Sequence, residues 1–103
     1  MAEDVRVFDL SYNNARVEIA TGRYFEVALP EQTGTGFKWK IVSGQIPVKD
    51  FRDPAGPSRG ATTSRHFRFQ AEWRGESVIS LRLCRSWEPQ APARQFTITV
   101  SVR

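Results

Sequence analysis

The sequence predicts an all-β chain, an immunoglobulin-like antiparallel sandwich of about seven to eight short strands with no disulfide. Three observations carry this. Apolar and polar residues alternate with period two in run after run, as in strands with one face on a core and one in water. Turn residues punctuate the runs at the spacing of a small β domain. No segment repeats apolar residues at the three-and-four spacing of an amphipathic helix. A small closed barrel would satisfy the same pattern.

The elements follow in order. Val5 to Leu10 forms a first strand, closed by Tyr12-Asn13-Asn14, and Val17 to Ile19 a short second piece ending at Thr21-Gly22. From Arg23 to Leu29, Phe25, Val27 and Leu29 share one face, with Tyr24, Glu26 and Ala28 on the other. Phe37, Trp39 and Ile41 share a face opposite Lys38 and Lys40, and a short strand is expected near Val48 to Phe51. Phe67, Phe69, Ala71 and Trp73 alternate with Arg68, Gln70 and Glu72; Ile79, Leu81 and Leu83 with Ser80, Arg82 and Cys84. Phe96, Ile98, Val100 and Val102 alternate with Thr97, Thr99 and Ser101. Trp39 and Phe69 are expected inside, doing the work a disulfide does in antibody domains.

Composition narrows the function. A chain of 103 residues with 40% hydrophobic residues fits one domain, 1–103, with one core. The net charge of +4 is modest, and no two Lys or Arg are adjacent, so nothing marks a nucleic-acid footprint. No segment approaches the ~20 apolar residues of a membrane span. The first ten residues include three acids and show no secretory signal. A monomer in the cytoplasm is expected from the chain as written, or in the periplasm or outside the cell if a leader is removed. A single cysteine, Cys84, allows no internal disulfide.

Little in the chain suggests catalysis. His66 is the only histidine and sits at a strand start, where a surface role is expected. Cys84 lies between Leu83 and Arg85 and reads as a small buried hydrophobe. No cluster of His, Cys, Asp and Glu has ligand spacing, so neither metal nor cofactor is expected. Asp50 and Asp53 read as a solvated loop, and Gly34 and Gly36 precede no Lys-Ser/Thr of a phosphate loop. The chain reads as a binding protein and not an enzyme.

The connections are unequal. Arg74-Gly75-Glu76 is a tight turn, whereas Leu29 to Gly36, Arg52 to Arg65 and Arg85 to Arg94 are long and rich in Gly, Pro, Ser and Thr. In an up-and-down run of strands these three long connections fall at one end, and the tight turn at the other. Loops gathered on a rigid scaffold make a binding end.

Segments in these three connections resemble the signature of the chagasin-type inhibitors of papain-like cysteine proteases. Gln32, Thr33, Gly34, Thr35 and Gly36 stand where that family carries Asn-Pro-Thr-Thr-Gly, and Phe37 and Trp39 match the aromatics that follow. Gly60, Ala61, Thr62 and Thr63 resemble its Gly-Ala-x-Gly loop. Arg85, Ser86 and Trp87, followed by Glu88, resemble its Arg-Pro-Trp. The resemblance covers nearly the whole chain, although no motif is intact. Thr33 and Ser86 replace prolines and Gly34 a threonine. Each change costs about 0.4–1 kcal/mol in ordering entropy, together roughly ten- to a hundredfold in affinity. Thr63 at the second glycine alters that loop's backbone.

The resemblance implies reversible, non-covalent inhibition by occlusion of the protease cleft, without cleavage of the inhibitor. The loop with Thr35 would enter the centre, nearest the catalytic cysteine–histidine pair. The Gly60 and Arg85 loops would flank it on the non-primed and primed sides. Trp87 is the expected anchor, Phe37 a support beneath the first loop, and Arg85 either a contact or a plain strand-end charge. The alternative is a generic immunoglobulin-like adhesion or carbohydrate-binding module without inhibitory activity.

Overall fold

The computed structural model describes residues 5–32, 34–52, 62–85, 87–88 and 92–103, with backbone alone for 32, 50–52 and 62–63. Among these residues the strands are β1 (Arg6–Phe8), β2 (Ala15–Ile19), β3 (Tyr24–Gln32), β4 (Phe37–Ser43), β5 (Val48–Arg52), β6 (Thr62–Gln70), β7 (Gly75–Arg85) and β8 (Arg94–Val102). They form two four-stranded sheets, ordered β1-β3-β6-β5 and β2-β8-β7-β4. This is the immunoglobulin arrangement, and the barrel is set aside.

Alternation builds the core between the sheets. Phe25, Val27 and Leu29 of β3, Phe69 of β6, Ile79 and Leu81 of β7, and Phe96, Ile98 and Val100 of β8 are fully buried. Phe25 and Phe69 stack with centroids 5.1 Å apart, and Trp39 is buried as expected. Full burial of one such side chain contributes about 1.5–3 kcal/mol, which lets the sandwich stand with Cys84 as a free, buried thiol.

The antiparallel expectation fails at the N-terminus. β1 runs parallel to β3, and β2 parallel to β8. The first stretch of chain lies on one sheet, turns through a 3-10 turn at Leu10–Tyr12, and joins the other sheet. Asp9 caps that turn, accepting a bond from the Ser11 N–H at 3.0 Å; this bond and one from the Ser11 hydroxyl hold its carboxyl below the usual range. Asn14, with φ 67°, ends the turn in the left-handed conformation that asparagine tolerates. Asn13 Oδ1 accepts from the Thr97 N–H at 2.9 Å, pinning the crossover to β8. Period-two alternation is blind to strand direction, so sequence could not distinguish these pairings.

Three further expectations change. β3 continues through Pro30 and Glu31 to Gln32, and β6 begins at Thr62, so the first two long connections are shorter than their composition suggests. Pro30 is tolerated because β1 pairs only with Phe25 to Val27, leaving that side of β3 an edge where no donor is required. Trp73 does not continue the inward face of β6; it is 64% exposed in the turn before β7. Glu26, expected on the solvent face, is buried beneath Arg68 and His66.

Candidate functional site

Strand register brings the end of β3, the start of β4, the start of β6 and the end of β7 together at one end. Gln32 at the end of β3 pairs with Thr62 at the start of β6. Phe37 at the start of β4 pairs with Arg85 at the end of β7, and Leu83 with Arg94 at the start of β8. The β3–β4 loop therefore lies between the start of β6 on one sheet and the end of β7 on the other. The tight turn before β7 lies at the opposite end, where Gly75 pairs with Val102.

The central loop contains two glycines in left-handed backbone, Gly34 at φ 86° and Gly36 at φ 84°, so its path tolerates no ordinary side chain at either position without strain. Between them Thr35 is half-buried, and its Oγ1 accepts a 3.3 Å bond from the Phe37 N–H. The β7–β8 loop begins with a turn in which the Glu88 N–H donates to the Arg85 carbonyl at 3.0 Å. Trp87 stands on that turn, 65% exposed. Its ring lies on Gly36 so closely that a Cβ there would be 2.7 Å from Cη2. The contact joins two of the three loops.

Arg85 packs against its neighbours at the end of β7. Its guanidinium sits 4.4 Å from the Phe37 ring centroid and 5.8 Å from that of Trp87, and Nη1 lies 3.4 Å from Glu88. Its Nε is buried with no hydrogen-bond partner. Phe37 is half-buried, with this cation over its ring.

A buried ion pair beneath the loops escaped the sequence reading. Glu31 is 4% exposed. Its carboxylate accepts from Arg65 Nε at 2.9 Å and Arg65 Nη2 at 2.8 Å, a fork-to-fork pair. It also accepts from the Trp39 N–H at 2.8 Å, while Trp39 Nε1 donates to the Pro30 carbonyl at 2.8 Å. One acid thus ties β3, β4 and β6 together under the central loop. The signal was present: Glu31 continues the inward phase of Phe25, Val27 and Leu29, and Arg65 that of Phe69 and Phe67. Opposite charges at the same end of two apolar runs imply a pair.

Of the expected site residues, Gly34, Thr35, Gly36, Arg85 and Trp87 converge at this end, with the backbones of Gln32, Thr62 and Thr63 beside them. Thr62 and Thr63 belong to β6 and not to a loop. Thr33, Gly60, Ala61 and Ser86 lie outside the described residues. Cys84 is buried, and His66 Nδ1 lies 3.0 Å from Glu26 on the outer face of the β3–β6 sheet. Neither belongs to the loop end. Among the described residues no group of His, Cys, Asp and Glu could hold a metal ion.

Comparison with known proteins is consistent with this geometry. Residues 18–102 match the Chagasin family peptidase inhibitor I42. The chain is similar to Amoebiasin-1 of Entamoeba histolytica, at 30% identity over 95 residues, 88% of this chain and 93% of the relative. It is also similar to Chagasin of Trypanosoma cruzi, at 26% over 98 residues, 85% and 89% of the two chains. The cysteine protease inhibitor EhICP2 from Entamoeba histolytica shares the fold at TM-score 0.85 and 20% identity over 96% of each chain. PbICP-C, solved in complex with falcipain-2, does so at TM-score 0.69 and 13% identity over 100% of this chain and 94% of its own.

Proposed function

The chain belongs to the chagasin family of peptidase inhibitors, and from that premise we propose that it blocks papain-like cysteine proteases reversibly by filling the active-site cleft with its three-loop end. The observation that carries the reading is the convergence of Gly34, Thr35 and Gly36 with Arg85 and Trp87 on one surface, the glycine loop in the middle.

The physical logic is occlusion without chemistry. A substrate lies in a protease cleft as an extended strand, with its scissile carbonyl in attack geometry. The β3–β4 loop is too tightly held to extend. Its ends are fixed in β3 and β4, its backbone turns twice through left-handed glycines, and Glu31 clamps its base. Thr35 at its tip would face the catalytic pair, and no extended peptide bond is offered. Trp87 and Arg85 supply the residue types that dominate interface energetics, and the β6 start at Thr62 borders the other side.

Loop order also bears on affinity. The missing prolines at Thr33 and Ser86 argue for looser loops, against which stand the Trp87 ring edge at Gly36 and the Glu31 clamp at the base of the central loop. Part of the entropic cost is thereby offset. The test is direct. Inhibition constants against papain and two related proteases should lie well below micromolar, full activity should return on dilution, and the inhibitor should be recovered intact by mass. Absence of inhibition at high micromolar concentration would overturn the reading.

A further inference from the structure

The outer face of the β2-β8-β7-β4 sheet carries a group of cations that the three loops leave unused. Alternation turns Lys38 and Lys40 of β4 and Arg82 of β7 away from the core, and all three are exposed. Lys40 lies directly opposite Arg82, and Lys38 opposite Cys84; on the other side of β7, Arg82 faces the neutral Gln95 of β8. None of the three forms an ion pair with a described residue.

Folding alone gives an incomplete account of this group. Lysines on an exposed edge strand keep other strands from adding to it, and β4 is the edge of its sheet. That explains Lys38 and Lys40. It does not explain Arg82, which lies on an interior strand with neighbours on both sides. Like charges directly opposite one another on a sheet face repel, so stability by itself favours a neutral or acidic residue at that position.

Position supplies the missing reason. Lys38 stands one residue into β4 from the loop end, on the sheet face opposite Phe37, and Lys40 and Arg82 continue that outer face away from the loops at roughly 3.3 Å per residue. We infer that Lys38, Lys40 and Arg82 extend the inhibitory surface and engage a carboxylate-bearing patch beside the cleft of the target protease. Such a strip steers the encounter and raises the association rate, with little effect on how long the complex lasts. It also selects among proteases, favouring those with acids at that rim.

This inference rests on the protease-inhibitor reading above, and the experiment separates the two. Association and dissociation rate constants would be measured at low and high ionic strength against two papain-like proteases, one acidic and one neutral beside its cleft. The wild-type protein would be compared with the triple variant Lys38→Gln, Lys40→Gln and Arg82→Thr. The expected result is association with the acidic protease about tenfold slower for the variant at low salt, with the gap closing at high salt. Dissociation should change less than twofold, and thermal stability should hold or rise because the repulsion is relieved. Unchanged association by a variant that still inhibits would overturn the inference while leaving the inhibitor reading intact. So would a loss found only in dissociation and accompanied by lower stability, which marks a structural role. Salt-sensitive retention on heparin that the variant loses, with association to both proteases unchanged, would reassign the strip to polyanions and overturn it equally. If the wild-type protein inhibits neither protease, both readings fall together.

Discussion

At the scale of single residues, Trp87 and Gly36 act as a pair. Trp87 is exposed, yet the Cη2 edge of its ring meets the backbone at the only residue type that leaves room for it. Replacing Trp87 with alanine should leave the melting temperature nearly unchanged, since little of the ring is buried, and weaken inhibition at least tenfold. An unaltered inhibition constant for the folded variant would remove Trp87 from the site. Gly36→Ala should act through the same contact: the new methyl collides with Cη2 and the left-handed backbone adds about 1 kcal/mol of strain. The expected outcome is inhibition weakened about tenfold, with a smaller effect when Trp87 is already alanine. A double-mutant cycle measures this coupling, and additive effects would show that the glycine acts alone.

At the scale of elements, the end of β3 matters more than its length suggests. Glu31 is the shared acceptor for a side chain from β6 and a backbone N–H from β4, and Arg65 has one-tenth of its side chain exposed. Removing one member of such a pair leaves the other charge buried and uncompensated, at about 3–5 kcal/mol. Glu31→Ala should therefore lower the denaturant midpoint by a corresponding amount. Its inhibition should also weaken more than the fraction unfolded explains, because the base of the central loop is released. Chemical denaturation followed by inhibition assays on the same sample checks both parts. The Glu26, His66 and Arg68 group on the outer face is a more open counterpart.

At the scale of the whole molecule, the sandwich separates stability from binding. Phe8 on β1 is buried against Tyr12 and Phe25, with ring centroids 4.9 and 6.1 Å away, and it holds the N-terminal crossover onto the first sheet. Phe8→Ala should cost about 3–5 kcal/mol, measured by urea unfolding. The inhibition constant of the protein that remains folded should be unchanged, because the loops are anchored by β3, β4, β6 and β7. A parallel fall in affinity would mean that the crossover positions the loops, contrary to the register.

The sequence by itself determined the all-β class and most of the residues that face inward, while leaving a barrel open beside the immunoglobulin-like sandwich. Alternation reports burial one residue at a time, and the placement of Phe25, Trp39, Phe69 and Phe96 in the core followed from it. The motif segments around Thr35 and Trp87 were legible because their order along the chain survives their substitutions. Tertiary structure alone decided the rest. The parallel pairing of β1 with β3 and of β2 with β8, the exposure of Trp73, the Glu31–Arg65 pair and the approach of the Trp87 ring edge to Gly36 depend on which strands become neighbours and in what register. So does the meeting of Lys40 with Arg82. Periodicity along one strand carries no information about what lies across from it.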